Sequence, residues 1–494
     1  MSYREFVEAQ KHNNPCLAGL SRFLFDSDSD RRSCRILKVE FSPNTDEIDP
    51  EFQHVNLEDF QDTIYPASEK ERRRILIIED LRRDVIETLG SAYRIDPVFF
   101  ASHLHAPFRQ MDNQTPNLAL LPSRRRKQNF ANFHYHRAVV LKGNVEKEDK
   151  LTRDMNVNRK IAVLLAAEKT RVALVQHACS LILLQDGGEG VILVDSPISH
   201  EYLPVLYDGG TDKDNKAMKR ASRVNSRLFL DGYEDFMPPS SEPLDLKGAL
   251  WGPRLSRASL LDDLGYYWKR QIPQQFDEFK PTLFALSIYP LQIIAAEWNN
   301  YIAAMSYHIK RHEYAVEAFN QRVTEIDKLD VELRSLQVWR RRSLASQQKI
   351  ASVKHFVTLH TTQSAKPTDK LTFEDTTGLQ EDYTYLAATL DDLSRRLRNM
   401  LPVVTSLVQI SDSRRSLTES ANVTRLTSLA IVFAPLSFTT GLFSMDTLNG
   451  PGGTHFWVFF AVAIPITIIV FLVARPPAFI LRLFSTRSRT NQGI

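Results

Sequence analysis

Two short motifs, His103-x-His105 and His134-x-His136, each hold two imidazoles one residue apart, a spacing that brings both rings to one face of a strand where they could ligate a metal. No nearby acidic or cysteine ligand completes either set, so packing or surface roles are the stronger expectation. Asp208, Asp212, Asp214 and Asn215 resemble part of a calcium loop, but no register supplies the sixth-position glycine and terminal glutamate, which leaves a solvated loop. Asp391 and Asp392 offer carboxylates for a regulatory divalent ion, against the plainer role of solvating a helix. Ser420, Val423, Thr427, Ala430, Ala434, Ser437 and Gly441 recur in steps of three and four and form a stripe of small or hydroxyl residues. Such a stripe either lets another membrane helix approach closely or, in symmetric copies, surrounds a narrow axial pathway. No phosphate-cradling glycine loop, nucleophile elbow or HExxH helix is present, so an enzyme is not expected.

The elements that would position this stripe lie at the end of the chain. Leu426 to Phe443 and Phe456 to Ala474 carry no formal charge, and each run is roughly 27 to 29 Å long as a helix, close to the thickness of a hydrocarbon core. Arg414, Arg415 and Arg425 precede the first run and Arg475, Arg482, Arg487 and Arg489 follow the second, while the segment between them has no Lys or Arg. Two transmembrane helices with both chain ends cytoplasmic follow from the positive-inside rule, with Phe456 and Trp457 as interfacial anchors; a pair of buried core helices is the competing reading. The expected protein is a multi-pass integral membrane protein whose host membrane is open.

Composition agrees with a large soluble body on a small anchor. The 494 residues are 43% hydrophobic, and a net charge of +3 gives no reason to expect a nucleic-acid partner. Cys16, Cys34 and Cys179 are odd in number and widely spaced, which fits a reducing compartment better than a disulfide framework or a zinc site. The opening MSYREFVEAQ lacks the apolar core of a secretory signal. The sequon at Asn113 then faces the cytosol and reads as a chance match, and the basic run Arg124 to Lys127 reads as a solvated loop or a contact for anionic lipid.

Taken in order, residues 1–60 read as a loosely ordered lead-in with one strand at Ile36 to Phe41. Residues 61–206 read as an α/β domain: a strand at Arg74 to Glu79, a helix with Asp80 as N-cap and Gly90 as stop, strands at Ala138 to Leu141, Val172 to Gln176, Ser180 to Gln185 and Val191 to Val194, and a helix at Arg159 to Lys169. A loop-rich connection covers 207–290. Residues 291–425 form a helical hairpin and stalk: one helix from Leu291 to about Leu359, striped by Met305, Ile309, His312 and Val316, then another from about Gly378, striped by Leu386, Leu390, Leu393 and Leu397. Pro402 is expected to bend the stalk. The membrane region covers 426–474 and a basic tail 475–494, so the fold class is an α+β cytoplasmic domain followed by long antiparallel helices and two C-terminal spans.

Within the first span, Phe433-Ala434-Pro435-Leu436-Ser437-Phe438, then Gly441, then Ser444-Met445-Asp446 resemble the signature of the CorA-like divalent metal ion (magnesium) transporters, in a diverged form most like the fungal members. The resemblance implies a homopentamer whose first span lines a pore, with Ser420, Val423, Leu426, Thr427, Ala434, Ser437 and Gly441 as lining candidates. It also implies an outer filter loop at Ser444, Met445 and Asp446, with Asp446 as the metal contact. The family's loop is Gly-Met-Asn, whose Asn accepts hydrogen bonds from the water shell of a reluctantly dehydrated Mg2+. Asp446 adds charge at that point, and Ser444 loses the backbone freedom of glycine. The implied function is a channel or transporter for divalent cations, Mg2+ first, with self, lipid and the ion as partners. Mg2+ or another divalent cation is then cargo or regulator, and no cofactor is expected. The alternative is a membrane-anchored relative that does not transport and whose cytoplasmic domain binds metal or protein, with Val423, Leu426 and Phe433 closing an apolar pathway.

Overall fold

A computed structural model describes residues 2–25, 34–41, 50–65, 73–105, 128–142, 151–164, 171–184, 188–204, 223–237, 255–274, 276–277, 280–321, 326–364, 370–444 and 456–474. The helices are α1 (Tyr3–Lys11), α2 (Ala18–Phe25), α3 (Phe60–Ile64), α4 (Arg83–Tyr93), α5 (Pro97–Leu104), α6 (Leu260–Arg270), α7 (Leu283–Gln321), α8 (Ile326–Ser364), α9 (Lys370–Phe443) and α10 (Phe456–Ala474). The strands are β1 (Arg35–Phe41), β2 (Pro50–Val55), β3 (Arg74–Glu79), β4 (Phe130–Lys142), β5 (Leu151–Thr152), β6 (Ile161–Val163), β7 (Arg171–Leu183), β8 (Glu189–Val194), β9 (Glu201–Pro204) and β10 (Val224–Leu228). The chain divides into two compact units, residues 1–314 with 335–400 and residues 315–334 with 401–494.

The first unit is built on one ten-stranded sheet in the order β2-β1-β3-β8-β7-β4-β10-β9-β5, with β6 also paired to β7. RILIIE in β3 and EGVILV in β8 are buried at every position, as in strands covered on both faces, and they form a parallel pair in the sheet. Leu76, Ile78, Val191 and Leu193 enter a core with Val7, Leu20, Val85, Leu89, Phe99 and Phe100 of α1, α2, α4 and α5. On the other face, Leu286 of α7 stands 3.0 Å from where a Cβ on Gly190 would lie, and Leu37 reaches equally close to Gly265 of α6. The Phe133 and Phe356 rings meet at 5.2 Å, and the Tyr383 hydroxyl donates to Leu291 O at 2.9 Å, so α8 and the start of α9 join this layer. The result is a sheet between two helical layers.

Several local expectations change. The lead-in expected over residues 1–60 contains α1, whose Ser2 and Glu5 form a capping box, and α2, both anchored in the core. Tyr3 donates to Ile95 O at 2.8 Å, and its ring occupies the space a Cβ at Gly90 would need. Gly90 is therefore an interior contact of α4, and the helix ends instead at Arg94 in the left-handed region at φ 50°. Asp80 is not the N-cap: it lies at φ 61° and its carboxylate accepts the Asn156 and Val157 N–H groups, while Arg82 holds the N-cap position of α4 without a side-chain capping bond. The helix expected at Arg159 to Lys169 is replaced over its described part by β6, because Ile161 and Val163 fill a core beside Val175 and Tyr202 while pairing with β7. The connection expected over 207–290 carries β10 and α6, and Trp268 of α6 packs edge-on against Phe276 at 4.9 Å. The first long helix is two, α7 and α8. The second begins at Lys370 and runs through Pro402 and Pro435 as one helix, with the division between units falling at Met400–Leu401.

Among the described residues, one helical stretch, Thr377–Leu442, is long and apolar enough to cross a membrane, and Trp457–Phe471 is a shorter apolar helix.

Candidate functional site

The second unit sets α10 against one side of α9. Thr439 and Pro435 of α9 and Ala463 of α10 are buried, while Ser428, Ile431, Val432 and Leu436 are partly covered. Thr424, Ser428 and Val432 share a groove with Phe471 of α10. Ser420, Val423, Thr427, Ala430, Ala434, Ser437 and Gly441 are all exposed, and at about 100° per residue they stand on the side of α9 away from those covered positions. Leu426 and Phe433 flank the stripe, 67% and 60% exposed. A Cβ at Gly441 would meet no atom within 4 Å, so the second unit leaves this face bare.

The hydroxyls of α9 are oriented by their own helix. Thr427 donates to Val423 O at 2.8 Å, Thr440 to Leu436 O at 2.7 Å, and Thr439 to the Pro435 and Leu436 carbonyls. A hydroxyl that spends its proton this way keeps oxygen lone pairs for an outside donor or cation. Pro435 supplies no N–H, which frees the Ile431 carbonyl from its usual helical partner. Ser444 is an exposed turn residue whose N–H donates to Thr440 O at 2.9 Å, while Met445 and Asp446 lie outside the described residues.

The two His-x-His motifs serve packing, the stronger of their two readings. Among the described residues no three His, Cys, Asp or Glu side chains are grouped to hold a metal ion. His103 and His105 lie on α5 and at its C-cap, not on a strand. His103 Nδ1 is 2.9 Å from Ser180 Oγ and its Nε2 3.6 Å from Asp195. His134 donates through Nε2 to Ser102 O at 3.0 Å, and its ring packs edge-on against His105 at 5.7 Å. Burial pushes His103 down to about 3 and His105 to about 4, so both are neutral at pH 7. Asp391 and Asp392 pair with Arg395 and Arg396 one turn along α9, at 3.2 and 3.0 Å. The calcium-like loop, the sequon and the basic run lie outside the described residues.

Residues 267–475 match the family model described as CorA-like Mg2+ transporter protein. This part of the chain is similar to that family. A comparison with curated proteins finds no match. Among solved structures, the complete CorA magnesium transporter from Methanocaldococcus jannaschii aligns over 90% of this chain and 98% of its own at 13% identity and a TM-score of 0.33. The full-length CmaX protein aligns over 91% and 99% at 13% identity and a TM-score of 0.36. The soluble domain of the M. jannaschii CorA aligns over 75% and 97% at 13% identity and a TM-score of 0.31.

The segment matched by that family model also supplies half of a feature that sequence reasoning missed. A cavity of about 240 Å3 lies between α8 and the strands β4, β6 and β7, with Arg341, Arg342 and Lys349 on the helix side. The signal was present in the chain, because Val338, Arg341, Arg342, Ala345 and Lys349 keep helical spacing. Those cations read as an exposed face until the sheet behind them is known. Burial lowers the Lys349 ammonium to about 7, with Arg159 adding to the effect.

Proposed function

We propose that the protein is a homo-oligomeric membrane channel or transporter for divalent cations, Mg2+ first, in which the α9 stripe of several copies lines the pathway. The observation that carries this reading is the bare face of α9, which runs through Ser420, Thr427, Ala434, Ser437 and Gly441 opposite the side that α10 covers. The CorA-like match over the same segment supports it. In this reading α9 and α10 both span the bilayer, the chain is a diverged fungal-type relative, the assembly is a pentamer and both chain ends are cytoplasmic. The backbone-bonded hydroxyl of Thr427 gives the pathway an acceptor suited to a hydrated cation. In this reading Asp446 is the metal contact of each copy and attracts the incoming ion by charge. An inside-negative potential of 100 mV contributes about 4.6 kcal/mol to the entry of a doubly charged ion.

The test is flux into liposomes containing the purified protein, comparing Mg2+, Co2+, Ni2+ and Zn2+ with and without an inside-negative potential. Uptake that rises with the potential and falls in Asp446→Ala more than in Asp446→Asn is expected. Absence of flux from correctly assembled oligomers would favour the anchored, non-transporting relative. That second reading is favoured by the departure of Ser444 and Asp446 from Gly-Met-Asn and by the exposed Val423, Leu426 and Phe433 beside the stripe.

A further inference from the structure

The cavity between α8 and the sheet differs from three ion pairs of the same domain. Arg74 pairs with Glu189 at 2.9 Å, Arg137 with Glu297 at 2.8 Å and Arg159 with Asp195 at 2.7 Å, each pair deep in the fold. At the cavity Arg341, Arg342 and Lys349 recur along one face of α8 at the spacing of residues turned toward a core. Opposite them, three side chains stand in a row across adjacent strands. His136 on β4 is the register partner of Gln176 on β7, and the Gln176 N–H donates to Lys160 O, beside β6, at 3.0 Å. Four cationic side chains therefore line one cavity, and among its described lining residues there is no Asp or Glu.

Two further observations say that something belongs there. Gln176 is 3% exposed and its Oε1 has no hydrogen-bond partner, and neither has Nδ1 of the neighbouring His136. Buried polar atoms of this kind normally find partners, and a Gln amide that turns over presents its N–H groups instead. His136 is held well below the ordinary imidazole range, first by burial and then by Lys349, Arg342 and Lys160, so the positive potential of these three side chains converges on its ring. Arg342 is steadied by the Trp339 ring, 5.3 Å from its guanidinium carbon. Arg342 and Lys349, half-buried with no Asp or Glu among the described lining residues, raise the free energy of the empty fold, and a small anion bridging them offsets that cost. The space equals roughly eight waters, enough for a tetrahedral oxyanion with part of its hydration shell.

We propose that this cavity is a binding site for a small oxyanion of the phosphate class, inorganic phosphate or a compact phosphate monoester, held by Arg342 and Lys349 with Lys160 and Arg341 at its rim and Gln176 behind it. The site lies within the first unit and does not depend on ion transport. It is tested by isothermal titration of the purified full-length protein in detergent with potassium phosphate and, separately, glycerol phosphate, against potassium chloride at matched ionic strength. Saturable binding of about one phosphate per chain is expected, with chloride giving only dilution heat. Tighter binding of glycerol phosphate would mark the ester as the occupant, and weaker binding the free ion. Lys349→Met and Arg342→Met should each weaken binding by about tenfold or more while leaving the phosphate-free unfolding midpoint unchanged or higher. Arg341→Gln, on the exposed rim, should weaken it less. Phosphate heats no different from chloride in the wild-type protein would overturn the proposal. So would full affinity in folded Lys349→Met and Arg342→Met, and should both fail to fold, full affinity in Arg341→Gln decides against the site.

Discussion

The sheet domain and the far end of α9 use the same apolar side chains in opposite ways. In the sheet, Ile77, Val175, Leu193 and Phe99 are wholly enclosed, and two buried charges, Arg159 and Asp195, satisfy each other. Along α9, Leu426, Leu429, Phe433, Phe438 and Leu442 stand more than half exposed in the single chain. The first region is closed by water's exclusion of its own side chains. The second has apolar surface left over after α10 has packed, and the proposed function assigns its covering to lipid or further copies of the chain.

Three substitutions break or sharpen that contrast. Arg159→Met should have the largest effect, because it leaves the Asp195 carboxylate buried with the Ala178 N–H and strips the donors from His103 O and His105 O. A loss of about 3–5 kcal/mol in urea unfolding of the sheet domain is expected. Asp80→Asn comes next and has the opposite sign. Burial raises the Asp80 carboxyl from 3.8 to about 6, so the folded protein holds this proton more tightly than the unfolded chain does. Stability should therefore fall as pH rises from about 4 to about 6, with the whole penalty in place above that window. Asn keeps an acceptor for the Asn156 and Val157 N–H groups and tolerates φ 61°. The variant should show no slope over that window and gain up to about 3 kcal/mol at pH 7. Gly441→Leu should have the smallest effect on folding, a gain of under about 1 kcal/mol from helix propensity, since no atom lies near its Cβ position. Reduced flux or altered oligomer size in that variant, with helicity unchanged by circular dichroism, would assign the face to contacts between copies. An unfolded Gly441→Leu would show that the face is already covered.

The sheet's centre was legible because β3 and β8 carry unbroken apolar runs, and α4 because Val85, Ile86 and Leu89 keep helical spacing. The first residues were not. Their Ser, Asp and Asn content hides the fact that Tyr3 and Leu20 complete the core over Gly90, a contact spanning more than eighty residues of sequence. Asp80 looked like a cap because local pattern cannot reveal that Asn156 and Val157 come to meet it. The α9 stripe was readable as period alone. Which side α10 would take was not, since α10 is apolar all round and its own period carries no preferred face.

By itself the sequence determined that long helices lead into the uncharged runs and where those runs lie, since both depend on residues close together in the chain, and it determined the spacing that makes the stripe of α9. Tertiary structure alone decided that His103 and His134 are packing residues held neutral by burial, and that Arg159 closes on Asp195. It also decided that Arg342 and Lys349 face Gln176 across a cavity. The physical reason is the same in each case: burial and the distance between charges are set by segments remote in sequence, and no periodicity within one segment encodes what will stand opposite it.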